Sequence, residues 1–129
     1  MDLSIIIPAY NEEKRIVSFL RDLAEFFKND PRAVEIIVVD DGSTDATSKV
    51  VRDFKSPKSI RLIHFKKNGG KGRAVKEGML AASGKIRIFM DADGSYSPET
   101  IVHNLHFFEE GYDIVIGSRY FGASCGFQT

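Results

Sequence analysis

Ile36-Ile37-Val38-Val39-Asp40-Asp41-Gly42-Ser43-Thr44-Asp45 is the stretch that decides the fold. Its first four residues are β-branched and apolar at consecutive positions, which reads as a strand buried on both faces. Two carboxylates close the strand. A Gly-Ser-Thr-Asp turn then leads into Ala46, Val50, Val51 and Phe54, the spacing of an amphipathic helix. Strand, acidic turn and helix in that order make one βα unit.

The unit recurs on either side. Leu3 to Ile7, Ile60 to Phe65, Ile86 to Met90 and Ile114 to Ile116 are further strand-like runs. Helical stripes lie between them: Ile16, Phe19, Leu20, Leu23 and Phe27; Val75, Met79 and Ala82; Ile101, Leu105 and Phe108. Helix-end signals agree. Ser43 or Thr44 can cap the second helix, and Gly84 can end the third. Ser97 can cap the fourth, with Pro98 at its first position and Gly111 beyond its end. The order β-α-β-α-β-α-β-α-β predicts an α/β fold, a mostly parallel sheet with helices on both faces. In such sheets ligands bind beyond the carboxyl ends of the strands.

Composition narrows the function classes. Leu, Ile, Val and Phe make up about 29% of 129 residues, above the ~20% below which chains tend to disorder. Eighteen basic and eighteen acidic residues cancel, so no overall field calls for nucleic acid. Cys125 is the one cysteine, which excludes an internal disulfide framework and fits a reducing compartment. The apolar runs are far shorter than the ~20 residues of a membrane span. Asp2 and Pro8 argue against a secretory leader.

The loops after the strands carry the chemistry. Pro8-Ala9-Tyr10-Asn11-Glu12-Glu13 follows the first strand and holds no glycine, so it is no dinucleotide-binding turn. Tyr10 offers a stacking face and Glu12 an acceptor for a base or ribose; a polar turn opening a helix is the alternative. After the second strand, Asp40 and Asp41 are costly side by side unless a ligand's donors or a helix N-terminus compensates them. After the third, Lys66-Lys67-Asn68-Gly69-Gly70-Lys71-Gly72-Arg73 is either a phosphate cradle or a solvated basic loop. It is no P-loop, because neither Ser nor Thr follows Lys71. After the fourth, the strand period puts Asp91 and Asp93 on one side of Ala92, and such oxygens suit Mg²⁺ or Mn²⁺ held jointly with substrate phosphates. Arg119, after the fifth, can clamp a phosphate or pair with an acid. His64, His103 and His106 form no ligand set, and no Ser-His-Asp arrangement stands out.

Ile7 to Glu13, Val38 to Asp45 and Asp91-Ala92-Asp93 resemble the family 2 nucleotide-sugar glycosyltransferases. The likeness is nearest to the dolichyl-phosphate glucosyl- and mannosyltransferases. Asn68 to Gly72, Gly78 and Gly117 to Tyr120 are similar to the same subgroup. The resemblance implies a Rossmann-like sheet of the GT-A type. It implies that Pro8, Tyr10, Glu12, Val39 and Asp41 line base and ribose, with Lys71 also at the donor. It further implies that Asp91, Ala92 and Asp93 hold ribose, metal and diphosphate, Asp93 and Asp91 being the catalytic and metal-binding pair. Arg119 would contact the diphosphate-sugar. The implied reaction is inverting transfer of a hexose to a polyprenyl (dolichyl) phosphate, on the cytoplasmic side or at the cytoplasmic face of a membrane. Gly94, Asn11 to Arg15 and Thr47 to Val50 look like the glucosyl type and favour UDP-glucose over GDP-mannose.

The expected organisation is a donor-binding domain over residues 1–120 and a short tail over 121–129. The family's catalytic part extends well past its Gly-Ser-Arg-Tyr segment, so the chain reads as truncated, its acceptor-binding part missing. Two other classes stand beside a transferase. One is a nucleotide-sugar-binding fragment without activity. The other is a nucleotidyltransferase, which would carry a Gly-rich basic loop after the first strand, where Pro8 to Glu13 stands.

Overall fold

In the computed structural model, residues 1–92, 98–109, 114–118 and 123–127 are described. They divide into two compact units, Met1–Gly94 and Ser95–Thr129.

The first unit is a four-stranded parallel sheet in the order β3-β2-β1-β4. Its strands are β1 (Leu3–Ala9), β2 (Val34–Asp41), β3 (Ser59–Phe65) and β4 (Ile86–Phe89). The parallel pairings place Ala9 beside Asp40, and Asp41 beside Phe65. The carboxyl ends of β1, β2 and β3 therefore lie level.

Three helices connect the strands: α1 (Ile16–Phe27), α2 (Thr47–Asp53) and α3 (Lys71–Ala81). The continuous apolar runs of β1 and β2 are buried on both faces, as their sequence predicts. On one face Ile6, Ile37 and Val39 form a core with Ala74 and Ala82, and Met79 joins its rim. α3 presses close there: a Cβ at Gly78 would stand 2.4 Å from Ile6 Cγ2. By strand alternation Ile5, Ile7, Ile36 and Val38 point the other way, and all four are buried. α2 packs against β2, β3 and α1, and α1 buries Ile16, Phe19, Leu20, Leu23 and Phe27, the stripe its periodicity predicts.

The second unit contains α4 (Pro98–Glu109), β5 (Ile114–Ser118) and β6 (Ala123–Phe127). Pro98 is the first helical residue, as expected; Ser97 and Gly111 lie outside the described residues.

Within the second unit β5 pairs antiparallel with β6. A connection this short suits a hairpin, whereas a parallel return needs a long crossover. Ser43 and Thr44 do not cap α2, which begins at Thr47 without a side-chain cap bond at Ala46. Both are engaged by the loop after β1 instead. α3 ends at Ala81, not at Gly84. Gly84 N–H donates to Ser4 Oγ at 2.8 Å, and a Cβ at Gly84 would meet the Ser4 amide nitrogen at 2.6 Å, so the glycine serves chain approach.

A buried network anchors the opposite end of the strands. Glu35 accepts from Ser4 Oγ at 2.6 Å and from the Ser83 amide and hydroxyl at 2.8 and 3.0 Å. Burial pushes its carboxyl up, but these bonds and the Arg61 charge outweigh that and hold it below the usual range.

Candidate functional site

The loops at the carboxyl ends of β1 and β2 interlock through side chain to backbone bonds. Asn11 has a left-handed φ of 52°, a conformation Asn tolerates better than most residues. Its Oδ1 accepts from the amides of Thr44 at 2.9 Å and Asp45 at 3.3 Å, and its own N–H donates to Ser43 Oγ at 2.9 Å. Glu12 N–H donates to Thr47 Oγ1 at 2.9 Å. The Glu13 amide donates to Asp45 while the Ala46 amide donates to the Glu13 carboxylate. Tyr10, at the tip of this platform, is 45% exposed, so its ring is open to a stacking partner.

The paired acids at the end of β2 are compensated separately by protein groups. Asp40 is fully buried and accepts from the Ser43 amide at 3.0 Å, from the Ser48 hydroxyl and from His64 Nδ1 at 3.0 Å. Burial raises its proton affinity. Hydrogen bonds from Ser43, Ser48 and His64 outweigh burial, so the carboxyl titrates below its ordinary value. Asp41 accepts from the amides of Gly69 and Gly70 and from Arg73 Nη2, each at 2.9 Å. The loop after β3 thus aims its glycine N–H groups at a carboxylate of the protein, where the sequence left a phosphate cradle open. Gly70, with φ 96°, gives the turn that aligns them.

Asp40, Ser48 and His64 form a Ser-His-Asp cluster by composition, but not a nucleophilic relay. Ser48 Oγ lies 2.8 Å from the same His64 Nδ1 that faces Asp40. A relay needs nucleophile and acid on opposite ring nitrogens.

Other expected residues occupy distinct settings. Glu12 makes a two-pronged pair with Arg15, 2.7 Å in each prong. Val39 points its side chain into the core beside α3 and is fully buried. Pro8 precedes Ala9 within β1. Asp91 is reached by Lys71 Nζ at 2.5 Å, with both side chains about half exposed, and Lys71 also stands 5.9 Å from the centre of the Phe89 ring. Ala92 is buried. Asp93 and Arg119 lie outside the described residues.

The sequence pattern names Arg73 only as one cation of the basic loop and assigns no site role to Ser48 or His64. Arg73 lies over the Phe65 ring at 4.2 Å. Its position in the first turn of α3, four residues past Gly69, was the available signal.

A hard divalent cation needs one or two carboxylates when substrate phosphates complete its shell. Asp91, solvent-accessible and next to β4, fits that requirement. Among the described residues no group of three or more His, Cys, Asp or Glu side chains converges to hold a metal alone.

Comparison with known proteins places this geometry. Residues 4–129 match Glycosyl transferase family 2. The chain belongs to that family. It is 42% identical over 131 aligned positions to a dolichyl-phosphate beta-glucosyltransferase of Dictyostelium discoideum, covering 91% of this chain and 39% of that protein. It is 37% identical to a dolichol-phosphate mannosyltransferase of Pyrococcus furiosus, covering 93% of this chain and 34% of that protein. The chain thus spans well under half the length of these relatives. Among solved structures, Staphylococcus aureus TarS in complex with UDP-GlcNAc superposes with TM-score 0.71 at 32% identity, over 86% of this chain and 32% of that one. The mannosyltransferase PcManGT of Pyrobaculum calidifontis, in complex with GDP-Man and Mn²⁺, superposes with TM-score 0.67 at 27% identity, over 80% of this chain and 31% of that one. The parallel-sheet fold is that of GT-A glycosyltransferases, as the sequence resemblance implied.

Proposed function

We propose that the chain forms the nucleotide-sugar-binding part of an inverting glycosyltransferase that moves a hexose to dolichyl phosphate. The observation that carries this is the placement of Tyr10, Asp41 and Asp91 at the carboxyl ends of β1, β2 and β4. β1 lies between the other two strands, so the two acidic positions flank the base platform at one end of the sheet. That is where open α/β sheets bind nucleotides.

In this reading Tyr10 stacks on the base, and Asp41 accepts from its edge. Pro8, Glu12 and the Val39 backbone complete the wall. Asp91, Ala92 and Asp93 hold ribose and diphosphate, and Arg119 neutralises the diphosphate-sugar. Lys71 is already drawn to Asp91 and lies within reach of the same phosphates. Mg²⁺ or Mn²⁺ held at Asp91 and Asp93 would supply charge neutralisation on the departing nucleotide. The acceptor phosphate is anionic at neutral pH, so attack on the anomeric carbon needs no strong base from the chain.

The donor assigned is UDP-glucose, on the glucosyl-type residues Gly94, Asn11 to Arg15 and Thr47 to Val50. GDP-mannose is the second reading, favoured by the likeness to the Pyrococcus furiosus and Pyrobaculum calidifontis mannosyltransferases. We assign donor binding to residues 1–120. The site of action is the cytoplasm or the cytoplasmic face of a membrane. Among the described residues no helix is long and apolar enough to cross a membrane.

Calorimetric titration with UDP, with and without Mn²⁺, tests the reading. UDP binding that strengthens with Mn²⁺ and weakens in Asp91→Ala and Asp93→Ala is expected. No UDP binding, or binding indifferent to all three changes, overturns it.

A further inference from the structure

We infer that Arg73 is a specificity-determining residue, which limits Asp41 to one free acceptor position and thereby selects a base edge with a single N–H donor. The inference rests on the reading of Asp41 as the base contact.

An ionised carboxylate offers about four acceptor positions, two on each oxygen. Oδ1 of Asp41 takes the Gly69 amide and Arg73 Nη2, both at 2.9 Å, and is full. Oδ2 takes the Gly70 amide at 2.9 Å and keeps one position. Uracil presents one N–H between two carbonyl oxygens and needs one acceptor. Guanine presents an N–H and an adjacent amino group. To satisfy both on one carboxylate it needs a position on each oxygen. With Oδ1 full, the amino group is left against an occupied acceptor, and an unpaired buried donor weakens binding about tenfold.

The guanidinium that fills Oδ1 is fixed by its surroundings. Arg73 Nη2 also donates to the Lys67 carbonyl at 2.6 Å. Its Cζ lies 4.2 Å from the centre of the Phe65 ring, and the Gly69 backbone lies close to it. A Cβ at Gly69 would fall 2.2 Å from Arg73 Cζ and Nε. Arg73 Nε is buried and has no hydrogen-bond partner among the described residues. The Phe65 ring, the Lys67 carbonyl and the close Gly69 backbone hold this orientation although Nε is left without a hydrogen bond. Removing the guanidinium would free one position on Oδ1 beside the one already free on Oδ2, the pair that guanine requires.

Competition against labelled UDP measures the affinities of UDP, N3-methyl-UDP, IDP and GDP for the chain and for Arg73→Met and Arg73→Lys. IDP has the guanine ring without its amino group, so the IDP-to-GDP ratio isolates the second donor. The expected result is IDP about tenfold tighter than GDP in the unaltered chain, consistent with the penalty above. In Arg73→Met that gap should close. In Arg73→Lys, which can still donate to Oδ1, most of it should return. GDP as tight as IDP in the unaltered chain overturns the inference, whether or not Arg73→Met folds. So does a gap that survives in folded Arg73→Met. Equal affinity for UDP and N3-methyl-UDP is a different failure, because it removes Asp41 from the base contact altogether. Absence of UDP binding refutes the nucleotide site itself.

Discussion

Gly72 and Gly78 lie on the same helix, and alanine at the two positions should act in opposite directions. In an exposed helix interior, Gly to Ala gains about 1 kcal/mol by helix propensity alone. At Gly72, in the first turn of α3, an added Cβ meets nothing within 4 Å, so Gly72→Ala should keep part of that gain. At Gly78 the same methyl would stand 2.4 Å from Ile6 Cγ2 and 3.1 Å from Val39 Cγ2. Optimal carbon contacts lie at roughly 3.5–4.0 Å, so the first overlap exceeds an ångström. Ile6 belongs to the central strand and is fully buried, which leaves it little room to move. Overpacking of this kind costs about 1–3 kcal/mol. The depth of the overlap argues for the upper half, so Gly78→Ala should lose about 1–2 kcal/mol net. Thermal unfolding reads the difference: at roughly 4 °C per kcal/mol, Gly72→Ala should melt higher and Gly78→Ala lower than the parent chain. α3 also carries Lys71 and Arg73 in its first turn, so Gly78→Ala should weaken UDP binding as the helix is pushed outward. A Gly78→Ala chain as stable as Gly72→Ala would refute the close packing of α3 on β1.

Two further outcomes follow from the loops. Gly42 has φ +73° and its absent Cβ would lie 2.4 Å from the Asn68 amide nitrogen; Gly42→Ala should therefore destabilise by about 2 kcal/mol or more through strain and clash, read as a fall in the urea midpoint. Asp40 has its folded pKa held below the ordinary value, so its contribution to stability is complete above the unfolded pKa of about 3.9 and is lost as pH falls through the folded one. Asp40→Asn should flatten the acid limb of a stability–pH curve below pH ~4, and an unchanged limb would show that Asp40 does not drive it.

How legible the chain is depends on what each signal measures. Consecutive β-branched runs report burial on both faces directly, so β1 and β2 stand where their residues predict. Asp40 and Asp41 were also legible as a problem of charge, because adjacent acids at a buried strand end demand donors. Their partners were not legible, since Ser48, His64, Gly69, Gly70 and Arg73 come from elements that only the folded sheet brings together. Gly69-Gly70-Lys71 reads from composition as either an anion cradle or a solvated basic loop, and in the fold the glycine amides meet an anion. What the sequence withheld was that the protein supplies an anion of its own. The fifth strand shows the same limit in pairing: Ile114 to Ile116 is apolar enough to be a strand, yet nothing in that run names its partner. β6 contributes Ser124 and Gly126, residues with low strand preference. Its pairing follows from the short connection to β5 rather than from its own pattern. Local periodicity thus fixes the elements, while the length of the connections and the closure of charge decide which of them meet. The second of these also shapes the site. A carboxylate with three of its four acceptor positions already filled by its own chain is a narrower ligand reader than the bare Asp-Asp pair suggests.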